Sequence, residues 1–193
     1  MQTFRVSIPS PLKVDTKTAK RVRLFNDALT NIATAETELD RLTEQVRDPN
    51  LQGGRVIELA DQLKATRLDA LRAKLRLAVE GKALLADLLA IAKSGEQAAQ
   101  NNLDQVTRDA GARLEAAGWV PHNRPDLKAK APEAYRRVLL EQGSVTPEAT
   151  AAKAPIGELR SFIGWLTDIS REIGKTITVT DTAVASHLSS IMR

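Results

Sequence analysis

The chain has 193 residues, of which 42% are hydrophobic and only 3% aromatic, and its formal net charge is +4. This composition can build a core and excludes a disordered tail, while the scarcity of aromatic residues argues against a β-sandwich or barrel. The chain has no cysteine, which excludes disulfides, thiol catalysis and cysteine-based zinc sites.

Two short segments near the ends of the chain alternate apolar and polar residues. Phe4, Val6 and Ile8 alternate with polar neighbours, and Pro9 follows them. A two-residue period predicts a short, half-buried β-strand. The run 176–180 has the same period and predicts a second short strand. We expect the two strands either to pair with each other or to extend the sheet of a neighbouring chain.

The segment that follows predicts a long helix over 17–47, with Asp15 as its N-cap. Its apolar residues recur at steps of three and four, as in a coiled coil or on one face of an ordinary bundle helix. Pro49 ends this helix. Glu36 interrupts the apolar face, and antiparallel pairing with the next helix would place it near Lys64 and Arg67.

The next predicted helix runs over 55–93 and carries two apolar stripes. A third helix or another subunit is therefore needed to cover its second half. Ser94 and Gly95 either break this helix or lie within a continuous one that ends at Gly118, where Trp119 can fold back on the last turn.

The remaining residues predict a linker and shorter helices. The expected elements are a linker over 119–132, a helix over 132–142, a helical turn at 146–148, a helix from Pro155 to Gly174 and a last helix capped by Asp181.

These elements predict a mainly α fold with two short β-strands near the termini. We expect an N-terminal arm over 1–14, an elongated antiparallel hairpin or three-helix bundle over 15–118, the linker over 119–132, and a small helical unit over 133–193 that holds the second strand.

The sequence shows no motif for catalysis. His122 and His187 are the only histidines, and neither has a glutamate three residues earlier, as a di-iron bundle requires. Residues 174–176 read Gly-Lys-Thr, but the rest of a phosphate-binding loop is absent. We therefore expect no enzyme activity, no metal, no cofactor and no small-molecule substrate.

Two surfaces are candidates for binding. The apolar stripes predict a protein interface made by Phe4, Val6, Ile8, Leu84, Leu88 and Ile91. Cations at a helix start oppose the helix dipole, so the basic residues there predict a patch for an anionic partner, made by Lys13, Lys17, Lys20, Arg21 and Arg23. Solubility and ion pairing are the alternative explanation for this patch.

The expected function is a non-enzymatic structural or adaptor role, as a helical subunit of a protein assembly such as a virion. The alternative is an accessory protein that binds nucleic acid without sequence preference through contacts to phosphates. The ten-residue apolar run 83–92 is too short to span a membrane, and no signal-peptide pattern opens the chain, so we expect a cytoplasmic or virion protein.

Overall fold

The structure, a computed structural model, describes residues 5–122 and 124–191, with the side chains of all these residues except Arg76 and 174–191. The chain is mainly α-helical, as predicted. The described residues form five helices in chain order: α1 (Thr16–Val46), α2 (Gly53–Ala116), α3 (Leu127–Lys130), α4 (Pro132–Gly143) and α5 (Pro147–Ile191).

The predicted N-terminal strand is wrong, because residues 5–8 have no strand structure. Instead, the backbone N–H of Val6 donates to Oδ1 of Asn26 at 2.8 Å, and Nδ2 of Asn26 donates to the carbonyl of Val6 at 2.9 Å. One amide side chain of α1 thus satisfies both backbone groups that a neighbouring strand would satisfy. Val6 is buried, so its apolar character reflects burial and not a sheet. Phe4 lies outside the described residues.

The predicted strand at 176–180 is wrong as well, because these residues have helical backbone within α5. The predicted helical turn at 146–148, the helix from Pro155 and the last helix are also parts of α5. Strand propensity depends on context, and residues that continue an existing helix need no new nucleus.

Pro155 lies inside α5 and does not begin a helix. It removes one N–H donor from the helix. Ala149 before it is fully buried, and Leu159 after it is 1% exposed. The helix is therefore packed against the core on both sides of Pro155.

The beginning of α1 follows the predicted capping chemistry. Asp15 has extended backbone, and its Oδ1 accepts a hydrogen bond from the N–H of Thr18 at 2.6 Å. At the other end, Oδ1 of Asp48 accepts from the N–H of Asn50 at 2.9 Å and forms the turn that leads to α2.

The question left open at Ser94 and Gly95 is settled, because α2 continues through both residues. A side chain at Gly95 would meet Leu12 and Leu159 at 3.2 and 3.7 Å, so this glycine permits close packing. The helix stops at Gly118, which has a φ of 75°. Gly118 donates to the carbonyl of Glu115, and Trp119 donates to that of Leu114, both at 3.0 Å. This pattern is the Schellman motif.

The chain divides into two compact units. Among the described residues, unit 1 contains 5–8, 13–89 and 165–191, and unit 2 contains 9–12, 90–122 and 124–164. Both α2 and α5 supply residues to each unit. The predicted division around a linker at 119–132 stays a prediction, since compactness does not show which segments fold alone.

The core of unit 1 draws on three helices, as the double stripe of α2 requires. The buried residues include Val22, Phe25, Leu29 and Ile32 of α1, Leu77, Ala78, Leu84, Leu85 and Leu88 of α2, and Leu166, Ile169 and Ile173 of α5.

The helices α1 and α2 pair antiparallel, as predicted, but in a different register. Glu36 contacts Lys74 at 2.6 Å, and these side chains are 29% and 26% exposed. Lys74 lies two to three helical turns beyond the predicted positions, Lys64 and Arg67. Phe25 sets this register, because its ring occupies the place that a side chain at Gly81 would take.

Unit 2 contains ordered structure in the segment predicted as a linker. Leu127, Tyr135 and Leu139 form a buried cluster against which Leu114 and Trp119 pack. Oη of Tyr135 donates to the carbonyl of Trp119 at 3.0 Å.

Two glycines allow α2 and α4 to approach closely. A side chain at Gly111 would meet the carbonyl oxygen of Leu139 at 3.3 Å, and one at Gly143 would collide with the carbonyl oxygen of Thr107. The obstacle at Gly143 is backbone, so it cannot rotate away.

We predict that Gly143→Ala lowers the free energy of unfolding by about 1–3 kcal/mol, as overpacking does. The matched control is Gly164→Ala on α5, where no neighbour lies within 4 Å. There alanine raises helix stability by about 0.5–1 kcal/mol. Urea unfolding followed by circular dichroism measures both changes, and equal effects of the two substitutions would contradict this account of the α2–α4 contact.

Candidate functional site

A groove opens between α1 and α2 on one side of their antiparallel pair. Its volume is about 600 Å³, and it lies wholly within unit 1. The lining residues are Arg21, Leu24, Phe25, Ala28 and Asn31 of α1, and Asp69, Arg72, Ala73, Leu77, Glu80 and Leu84 of α2. Below, "the groove" means this set.

Short side chains create the groove. Ala28 and Ala73 are among its lining residues, and neither side chain is long enough to reach across the gap between the helices. Phe25, Leu77 and Leu84 are at most 7% exposed and form a fixed apolar floor. By contrast, Leu24 on the rim is 59% exposed. The groove therefore offers a preformed apolar surface with one large aliphatic side chain beside it.

The opposite side of α2 is covered. Ala78 and Leu85 are 5% and 0% exposed, and neither lines the groove. Unit 1 therefore buries one side of the α1–α2 pair and leaves the other side open to solvent.

Ion pairs border the groove at both ends. Arg21 contacts Asp87 at 2.5 Å at one end, and Arg72 contacts Asp69 at 3.4 Å at the other. All four side chains are at least 34% exposed. Exposed ion pairs add little stability, so these charges can exchange partners at low cost.

The predicted basic patch lies at the start of α1. Arg21 is engaged by Asp87. Lys13, Lys17, Lys20 and Arg23 are exposed, and no ion pair within residues 5–122 and 124–173 engages them.

Asp15 lies beside this patch. Its pKa lies below the ordinary value of 3.8, chiefly because the backbone of Thr18 donates a hydrogen bond to the carboxylate. Lys17 and Arg21 lower this pKa further through their charge.

The predicted interface residues are not gathered on one exposed surface. Val6, Leu84 and Leu88 are buried within the chain, and Ile8 and Ile91 are half-buried. Among the side chains that the structure describes in unit 1, the large hydrophobic residues that face solvent are Leu24, Ile57, Leu68 and Val79. Sequence analysis missed Leu24 because it lies beside the apolar face of α1. The signal was present, since Leu24, Ala28 and Asn31 follow one another at helical spacing.

A second, smaller cavity of about 390 Å³ lies in unit 2, lined by Leu103, Asp104, Thr107, Arg108, Leu140, Ser144 and Lys153. It is shallow, and Lys153 already donates to the carbonyl of Ser144 at 3.1 Å. This hydrogen bond already engages the ammonium group of Lys153, which leaves fewer polar groups in the cavity to bind a ligand.

The described side chains include no group of three or more histidine, aspartate or glutamate residues that could hold a metal ion. His122 is exposed, and the side chain of His187 lies outside the description. No described helix is long and apolar enough to cross a membrane. The chain matches no protein-family model, no curated protein and no solved structure.

We predict that the stabilising charge of Asp15 is lost in acid. Its folded-state pKa is lowered, so the contribution is present above about pH 3.8 and disappears as the pH falls through the folded-state value. Asp15→Asn keeps a capping oxygen without the charge. The wild type should unfold at a higher urea concentration than this variant at pH 7, and the difference should shrink at pH 3. A difference that is independent of pH would contradict the prediction.

Proposed function

We propose that this chain is a non-enzymatic structural or adaptor protein, a helical subunit of a larger protein assembly that binds protein through the groove. The observation that carries the proposal is the open apolar groove with exposed Leu24 on its rim. A virion component is one form that such a subunit takes.

The dimensions of the groove favour a helical occupant. Its α1 wall runs from Arg21 to Asn31, which is about 15 Å at 1.5 Å per residue. A guest helix would lay apolar side chains over Ala28 and Ala73 every three to four residues. The floor is apolar, and the arginines at the two ends are already paired with aspartates.

Photo-crosslinking tests this proposal. A benzophenone amino acid replaces Leu24 in cells that make the protein from its own gene, and the control replaces Val145, which is 69% exposed in unit 2. We expect position 24 to form one defined protein adduct that position 145 does not form.

A second substitution, Ala73→Trp, should fill the groove and abolish the adduct formed from position 24. Circular dichroism checks that this variant stays folded. Equal crosslinking from positions 24 and 145, or an adduct that survives Ala73→Trp, would overturn the proposed function.

The basic patch supports a second candidate function, binding of nucleic acid through phosphate contacts. Lys13, Lys17, Lys20 and Arg23 present four exposed cations at one end of α1. Such contacts release condensed counterions, so the affinity must fall steeply with salt and show no sequence preference.

Fluorescence anisotropy with a labelled DNA duplex tests this candidate. We predict that Lys17→Ala combined with Lys20→Ala lowers the slope of log affinity against log salt by about two, since each phosphate contact contributes about 0.9. Lys64→Ala on α2 is the control. A preference for one sequence over a scrambled duplex would rule out this mode of binding.

A further inference from the structure

We propose that two copies of this chain pack with their grooves face to face. The two α1–α2 pairs then form an antiparallel four-helix bundle. This inference rests on the proposed function, because it names the protein that the groove binds. Three features of unit 1 support it: the register of α1 on α2, the charges on the rim, and the exposed Leu24 beside an apolar wall.

The symmetry determines which residues meet. Two copies placed groove to groove can be related by a twofold axis parallel to the helices. This rotation keeps every residue at its own height along the axis and places α1 of one copy over α2 of the other. Two residues of α1 and α2 that lie at the same height within one chain therefore also lie at the same height when α1 of one copy faces α2 of the other.

The contact between Glu36 and Lys74 defines the levels at one end of the groove. Because the helices are antiparallel, Glu38 lies level with Arg72, and Arg41 lies level with Asp69. At each of these heights, an acidic residue on one helix lies opposite a basic residue on the other helix. Within the chain these residues pair along their own helices, as Glu38 with Arg41 at 2.5 Å and Asp69 with Arg72 at 3.4 Å.

The twofold arrangement brings these two pairs together with their charges opposed. Glu38 meets Arg72 of the second copy, and Arg41 meets Asp69 of the second copy. The side chains of all four residues are at least 43% exposed, so they are free to form such a network. The same contacts recur by symmetry, which gives four ion pairs between the copies at this end.

The other end of the groove repeats the pattern. Arg21 and Asp87 lie level within one chain, as their 2.5 Å contact shows. The rotation places Arg21 over Asp87 of the second copy. At this height, positive and negative side chains therefore alternate from one helix of the bundle to the next. Arg21 also lies level with Arg21 of the second copy, but these two residues are on diagonally opposite helices, which are farther apart than the facing α1 and α2.

Apolar side chains face each other between these charged ends. Leu24 protrudes from the α1 rim, and the contact of Arg21 with Asp87 places it at the height of Leu84, which lines the opposing wall in the second copy. Each copy therefore contributes a protruding aliphatic side chain and an apolar wall that faces it.

Exchange of charge between copies provides a direct test. In a dimer of two Glu38→Lys chains, the positive charge at position 38 faces Arg72 of the other chain. In a dimer of two Arg72→Glu chains, Glu38 faces the negative charge at position 72 of the other chain. Each variant alone should dimerise roughly tenfold more weakly than the wild type, because two contacts between copies become repulsive. In an equal mixture, the side chain introduced by Glu38→Lys in one chain meets the side chain introduced by Arg72→Glu in the other. The unchanged Arg72 of the first chain meets the unchanged Glu38 of the second. The mixture should form heterodimers with near wild-type affinity.

Analytical ultracentrifugation measures these affinities, and the wild type should sediment at twice the 21.0 kDa of one chain. The control is Glu133→Lys, an exposed residue of α4 in unit 2, which should leave the affinity unchanged. A second test is Leu24→Asp, which should abolish dimers without unfolding the chain, since Leu24 is exposed in the single chain.

A monomeric wild type, or a mixture no tighter than the single variants, would overturn the second copy as occupant. Recovery in the mixture cannot come from contacts within one chain, because each chain still carries its own substitution. The crosslinking test stays separate: a monomer whose position 24 crosslinks to a different protein would retain the proposed function and refute this inference.

Discussion

The packing of the Phe25 ring against Gly81 is the constraint on which the rest of unit 1 depends. It brings α1 and α2 together at one height and thereby sets every other pairing between them. The contact of Glu36 with Lys74 and that of Arg21 with Asp87 both follow from this register. A half-buried acid on an apolar helix face is costly when unpaired, so a slip of the two helices would be penalised at Glu36.

The same register explains why the groove is present. Close contact at Gly81 draws the backbones together, while Ala28 and Ala73 leave space above Leu77 and Leu84. Unit 1 therefore has an asymmetric cross-section, with a covered side and an open one. The open side carries the features from which we infer a protein-binding role.

The sequence predicted the features that depend on neighbouring residues. The Asp15 cap, the stop at Gly118 with Trp119 folded back, and the helix from Pro132 are local events, and the structure has all three. The predicted strands failed because alternation alone cannot distinguish a strand from an extended segment held by Asn26. The register and the groove could not be predicted, since both depend on how far apart two helices lie and not on the pattern of either one.

The sharing of α2 and α5 between the two units has a consequence for how the molecule can come apart. Leu166, Ile169 and Ile173 belong to unit 1 although they follow unit 2 in the chain. A fragment that ends at Gly118 would keep the α1–α2 pair and lose this part of its core. Local unfolding that starts in α2 or α5 removes hydrogen bonds and buried contacts from a helix that continues into the other unit. Such unfolding can therefore spread along the helix from one unit to the other. We therefore expect helix continuity, as well as side-chain packing, to couple the unfolding of the two units.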